Sequence, residues 1–262
     1  MSLRSFQFTH AVTRKPCRAI VDGIRAVDTG APDIDVFLQH HDVYVSTLKS
    51  TGAQVTELPA LEEFPDSVFI EDAALCLPEA AIVMRPGAEP RRGEAAKIRP
   101  ALDEIYDRVF AIEGPGTIEG GDILVTDKEI LVGRSARTNR QGVEELRAIV
   151  GGLGYSLRDV ETPPDVLHFK TDCSLLDGNT ILATQRLARS GCFEGYRVIH
   201  TAEGEEACAN SIRFNDLVLF PAGFPQTQAL LEAQGFNVRT IGNSEAAKLD
   251  GGMSCLSLRF SP

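Results

Sequence analysis

Ser67-Val68-Phe69-Ile70-Glu71-Asp72-Ala73-Ala74-Leu75-Cys76-Leu77-Pro78-Glu79-Ala80-Ala81-Ile82-Val83-Met84 (residues 67–84) is the stretch from which the fold is read. Ala73–Leu77 and Ala81–Met84 are apolar runs of strand length, and Pro78-Glu79 between them is turn chemistry, so the segment predicts a hairpin. The same grammar returns at Asp122–Val125 with Ile130–Val132, at Cys173–Leu176 with Ile181–Ala183, and at Ser211–Phe214 with Leu217–Phe220. The units begin near Asp72, Asp122, Asp172 and Asn210, a period of roughly 40–50 residues, which marks a repeated architecture. The residues before the hairpin, Ser67-Val68-Phe69-Ile70, read as a buried strand running into it. With Asp66, the pair Glu71-Asp72 places three carboxylates in this apolar setting, which is costly unless a cation or several donors meet them. The plain alternative is a strand end whose acids turn to solvent. Three together favour a pocket for a cationic organic ligand. Alternation along a straight strand would send Glu71 and Asp72 to opposite faces, so a shared ligand requires the backbone to turn there.

Helices follow the hairpins. Thr138-Asn139 offers a cap before Val143, Leu146, Ile149 and Val150, with Gly151-Gly152 closing the helix. Pro225–Leu231 reads as another helix ending at Gly235, and an earlier one spans Asp33 to Ser50 before a strand at Val55–Leu58. Residues 93–106 read helical, with Pro100 kinking the helix or starting a second piece. No low-complexity linker divides the chain, which predicts one domain, 1–262, of ββαβ units. The glycine pairs 120–121, 151–152 and 251–252 lack the context of a nucleotide-binding loop and read as turns and helix ends.

The 262 residues are 43% hydrophobic and 24% charged, enough apolar matter for a full core. A net charge of −11 without a basic stripe argues against nucleic acid and favours cationic ligands. Six cysteines occur without Cys-x-x-Cys or zinc-ligand spacing, so no metal site is read. Neither a signal-peptide core nor a membrane-length apolar run is present, and the expectation is a cytoplasmic protein with free thiols, no membrane partner, and a homodimer left open.

Three residues carry candidate chemistry. Cys255 follows Gly251-Gly252 at the start of a strand; a lone cysteine there is ordinarily core, and a nucleophile needs a base or cation beside it. Among five histidines, His168 is the best-placed partner, at the entry of the third hairpin, although a partly buried, backbone-bonded histidine reads equally well. Glu119 enters the second hairpin as Glu71-Asp72 enter the first. Acids at successive entries converge if the repeats ring an axis. Arg91 and Arg137 are loop guanidiniums suited to bidentate capture of a carboxylate. Acids at one end and arginines at the other fit a zwitterionic amino acid with a cationic tail.

Phe-Pro-Asp-Ser-Val-Phe-Ile-Glu-Asp (64–72), Arg-Pro-Gly-Ala-Glu-Pro-Arg-Arg-Gly-Glu (85–94), Gly-Thr-Ile-Glu-Gly-Gly-Asp (116–122), Ser-Ala-Arg-Thr-Asn (135–139), Leu-His-Phe-Lys (167–170) and Asp-Gly-Gly-Met-Ser-Cys-Leu-Ser-Leu-Arg-Phe (250–260) resemble, in order, the dimethylarginine dimethylaminohydrolase family. That resemblance implies the pentein fold, an α/β propeller with fivefold pseudosymmetry built of ββαβ units, its fifth unit closed by the C-terminal strand with the N-terminal segment. It implies Cys255 as nucleophile on the guanidinium carbon of a methylated arginine, His168 as acid and then base, and Glu119 orienting His168. It further implies Asp66, Glu71 and Asp72 on the guanidinium nitrogens, Phe69 lining the pocket, Arg91 and Arg137 on the substrate carboxylate, and the carbonyls of Ile24 and Leu249 on its amino group. Ile24 stands where the family often has leucine. Citrulline would be the product, with no cofactor. The alternatives are an arginine deiminase releasing ammonia and a non-catalytic pentein that only binds.

Overall fold

The computed structural model describes residues 5–262; residues 1–4, part of the segment read as lacking a signal-peptide core, lie outside the described residues. In chain order the elements are β1 (His10–Arg14), α1 (Ile34–Ser50), β2 (Gln54–Leu58), β3 (Ala74–Cys76), β4 (Ala81–Val83), α2 (Arg92–Ala96), α3 (Arg99–Asp103), β5 (Val109–Ala111), β6 (Ile123–Val125), β7 (Ile130–Arg134) and α4 (Arg140–Gly152). There follow β8 (Leu157–Glu161), β9 (Cys173–Leu175), β10 (Thr180–Ala183), α5 (Gln185–Ala188), β11 (Arg197–His200), β12 (Ile212–Phe214), β13 (Leu217–Pro221), α6 (Pro225–Ala233), β14 (Asn237–Ile241), α7 (Ser244–Ala247) and β15 (Leu258–Phe260). The strands form five three-stranded sheets, β15-β1-β2, β3-β4-β5, β6-β7-β8, β9-β10-β11 and β12-β13-β14. Within a blade the first strand pairs antiparallel to the middle one, as Ala74↔Val83, and the third pairs parallel through a helical crossover, as Ala81↔Val109.

The four hairpins stand where their apolar runs put them. The fifth blade joins the chain's two ends, with His10 opposite Phe260. Five hydrophobic clusters alternate with the five sheets, each drawing on two neighbouring blades. One packs Val132 and Leu146 against Ile82; another packs α1, through Phe37 and Leu48, against Phe214 and Ile241. This is the fivefold α/β propeller that the family resemblance implies, built on the repeated hairpins. Pro100 lies at the start of α3, so residues 93–106 form two short helices rather than one.

The segment before β3 departs from expectation. Ser67–Ile70 is not a strand: Pro65–Val68 and Ile70–Ala73 are successive 3-10 turns, and only Ala74–Cys76 extends. A short apolar run does not by itself distinguish a buried strand from a buried turn. Comparable turns precede the other inner strands, at Gly120–Asp122, Phe169–Thr171, Glu206–Ala209 and Ser254–Leu256. These turns are stapled to one another. Asp72 accepts the Gly121 N–H at 2.9 Å, Asp122 accepts the Phe169 N–H at 2.8 Å, and Asn210 accepts the Ser254 N–H at 3.0 Å. In each case a polar residue of one blade satisfies a backbone donor of the next. Gly120 serves the same approach, because a Cβ there would collide with the Glu71 carbonyl.

Candidate active site

The staples bring the chemistry to one end of the ring. Glu119 and His168 immediately precede two of the turns, Asp72 lies within one, and Cys255 is the middle residue of the turn before β15. His168 Nε2 lies 2.6 Å from Glu119 Oε2, and Glu119 is fully buried. The other Glu119 oxygen accepts the Ala88 N–H at 3.1 Å and faces the Arg137 guanidinium at 3.6 Å. Burial alone would discharge His168, but Asp72, Asp122 and Glu119 outweigh it and raise its proton affinity to about 9. The imidazolium is therefore the resting form at neutral pH. Asp72 is also buried; His168 and Arg91 overcome that penalty and hold its carboxyl down at about 2.

The Cys255 thiol sits in the opposite situation. Burial, then Glu71 and Asp72, push it up to about 11, while the Gly252 N–H and the Asn210 side-chain amide pull the other way. Those two donors reach Sγ at 3.4 and 3.6 Å. Gly252 makes room for Asn210, since a Cβ there would overlap the amide. The loop is braced from beneath by Tyr44 of α1, whose buried hydroxyl donates to the Met253 carbonyl at 2.9 Å and pairs with Ser257 Oγ at 2.7 Å. Asp250 holds a left-handed backbone (φ 59°) and accepts the Ala26 N–H at 2.6 Å, tying the 23–26 loop to the cysteine loop.

Asp66 and Asp72 both flank this centre. Asp66 accepts the Ile24 N–H at 3.0 Å, and burial raises its carboxyl despite Arg91, Ile24 and Arg137. Phe69 is buried against Gly251, and Leu249 lies beside Gly23 and Asp66. Among the described residues, no hydrogen bond occupies the Ile24 or Leu249 carbonyl.

Two of the residues expected to meet a ligand are already engaged within the protein. Glu71 acts with Asp72 on the Cys255 thiol, but its Oε1 also pairs with Lys170 (2.6 Å) and with Arg259, while its buried Oε2 has no hydrogen-bond partner among the described residues. Together these three side chains help line an open cavity of about 900 Å³ along the inner strands β3, β6, β9, β12 and β15. Arg91, expected on a carboxylate of the ligand, is buried and turned inward: it bonds Asp72 at 2.5 Å and grips Glu94 through 2.9 and 2.7 Å contacts. Arg137, with 18% of its side chain exposed, is the freer guanidinium.

Sequence reading assigned no role to Lys170, Arg259, Asn210, Asp122 or Glu94. Lys170 and Arg259 stand inside the quoted motifs, and Asn210 and Asp122 mark the beginnings of repeats, so the signal existed. Asp72, Glu119 and His168 present ligand atoms within 4.8 Å of one another, a spacing a metal ion could bridge. Arg91 and the His168–Glu119 hydrogen bond already satisfy that group, which leaves it suited to proton transfer.

Comparison with known proteins is consistent with this geometry. A dimethylarginine dimethylaminohydrolase of Pseudomonas aeruginosa is 40% identical over 254 residues, covering 97% of this chain and all (100%) of its own. This chain belongs to the dimethylarginine dimethylaminohydrolase family. A second family member, from Streptomyces coelicolor, is 33% identical over 254 residues, covering 95% of this chain and 96% of its own. A solved structure of the P. aeruginosa enzyme, a cysteine-to-serine variant complexed with citrulline, superposes with a TM-score of 0.94 at 39% identity over 97% of this chain and 100% of that one. The N-terminal domain of a cyanobacterial arginine dihydrolase shares the fold at TM-score 0.84 and 20% identity, covering 95% of this chain and 96% of that one. The arginine deiminase family model matches residues 98–210.

Proposed function

We propose that residues 1–262 form one catalytic domain that hydrolyses Nω-methylated L-arginine to L-citrulline, releasing dimethylamine or methylamine. The observation that carries this reading is the pairing of a buried imidazolium, His168 on Glu119, with the Cys255 thiol inside one anionic field. The substrate guanidinium is the cation that this field lacks.

On entry the guanidinium takes Asp72 from Arg91 and lies against Asp66. Its charge offsets the carboxylates that hold the thiol protonated, so Cys255 loses its proton to solvent while Gly252 and Asn210 donate to the thiolate. The thiolate attacks the guanidinium carbon and forms the C–S bond. His168 protonates the departing amine, the C–N bond breaks, and an S-alkylthiouronium remains. Neutral His168 then takes a proton from water as the hydroxyl adds to the same carbon, the C–S bond breaks, and citrulline leaves. Thiol, imidazole and water supply this chemistry without a cofactor. Arg137, joined by Arg91 once Asp72 has exchanged partners, takes the substrate carboxylate, and the free Ile24 and Leu249 carbonyls receive its ammonium. Glu71 acts below the site as part of its charged floor.

A cytoplasmic setting is proposed on the cysteines, all six of which are free among the described residues, and no described helix is long and apolar enough to cross a membrane. The arginine deiminase model match motivates a second reading, release of ammonia from unmethylated arginine. One assay separates them: citrulline and dimethylamine are quantified from asymmetric dimethylarginine, with L-arginine in parallel. Citrulline with stoichiometric dimethylamine supports the proposal. Turnover of arginine alone replaces it with the deiminase, and turnover of neither, by folded reduced protein, overturns both.

A further inference from the structure

Away from the catalytic end, the middle of α1 holds a polar group that the fold does not explain. His41 is 1% exposed, and neither ring nitrogen has a hydrogen-bond partner among the described residues. A buried imidazole without partners bears an uncompensated desolvation cost. Its Nδ1 faces Glu57 Oε2 of β2 at 3.8 Å. That distance is too long for a hydrogen bond. It is the separation of two atoms that each lie about 2.1 Å from one ion, at an angle of about 130° between them. The next helical residue, Asp42, is exposed and supplies a third oxygen, with the three ligand atoms all within 4.8 Å of one another.

We propose that His41, Asp42 and Glu57 form a site for a divalent first-row transition ion, one that bridges α1 to the sheet of β1 and β2. One imidazole with two carboxylates suits manganese, iron, cobalt, nickel or zinc, and the nitrogen ligand disfavours calcium and magnesium. Solvent reaches the site past Asp42 and past Glu57, which is 23% exposed. Lys15 is the resident competitor: its ammonium sits 3.2 Å from the other Glu57 oxygen, on a side chain 53% exposed and free to swing away. The proposal is independent of the reaction, since none of these four residues belongs to the catalytic centre.

The probe is Co²⁺, titrated at pH 7.5 into the reduced full chain, with bound metal counted by equilibrium dialysis and His41 ring protons followed by NMR. The expected result is one equivalent bound below millimolar concentration, with paramagnetic shifts at His41. Glu57→Gln keeps the shape of the side chain and loses that equivalent. Lys15→Gln removes the competing charge and binds about fivefold tighter or more, a gain that damage to the fold would not produce. Cobalt binding unchanged in Glu57→Gln, or no tighter in Lys15→Gln, overturns the site, as does a parent protein that binds no equivalent.

Discussion

Replacing Glu119 by glutamine tests the acid role of His168 most directly. Its proton affinity lies at about 9, raised from an ordinary 6.5 by the carboxylates around it. Burial works against that rise, so Asp72, Asp122 and Glu119 jointly supply more than the net rise. Glutamine keeps a carbonyl to accept from Nε2 but removes one of the three charges, which lowers the affinity by about 1–2 units. The sign follows from the role. The acid form is needed to protonate the departing amine; it is nearly full below the ordinary value and is lost as pH rises through about 9. In Glu119→Gln that loss moves down to roughly pH 7–8, so the protonated fraction at pH 8 falls from about 90% to about 10–50%. Citrulline formation measured as kcat from pH 5.5 to 10 should therefore show a displaced alkaline limb, with a two- to tenfold greater deficit at pH 8 than at pH 6. A variant that is slower at every pH, with its alkaline limb still near that of the parent, would refute the electrostatic role and leave Glu119 a packing residue.

Three further outcomes are expected. Cys255→Ser abolishes turnover but keeps the fold and binds citrulline by calorimetry; retained turnover removes Cys255 as nucleophile. Asp72→Asn raises KM by about tenfold or more while Lys49→Ala, changed on an exposed face, leaves it unaltered; equal effects defeat the cation pocket. Asn210→Asp keeps an oxygen for the Ser254 N–H but turns the thiol's amide donor into an anion. Its iodoacetamide alkylation at pH 9 should fall about threefold to tenfold with Tm little changed, and an unaltered rate would show that the amide does not act on the thiol.

The blades were legible because each hairpin is a local event: two apolar runs and a turn, all within a dozen or so residues. The site was legible where carboxylates crowd a short apolar stretch, as from Asp66 to Asp72, and where a candidate stands at the entry of a strand or hairpin, as with Cys255, His168 and Glu119. What escaped was direction. Whether Glu71 faces the pocket depends on the 3-10 turn beneath it and on Lys170 and Arg259, which lie far away in the chain. Arg91 likewise read as a loop guanidinium open to a ligand carboxylate, because Glu94, three residues on, gave no hint that both would be buried. The polar residue at the start of each repeat was visible as a period, but its bond to the following blade is a property of the closed ring.

The pairing of β1 with β15 has a consequence for how this protein comes into being. Cys255 rides on the turn before the strand that zips the ring shut, and that strand pairs Phe260 with His10, far earlier in the chain. The blades that carry Asp72, Glu119 and His168 form from local contacts, whereas Cys255 joins them only through the seam. The group proposed to act together is complete only when this long-range seam forms, and pairings of such sequence separation are slow to find.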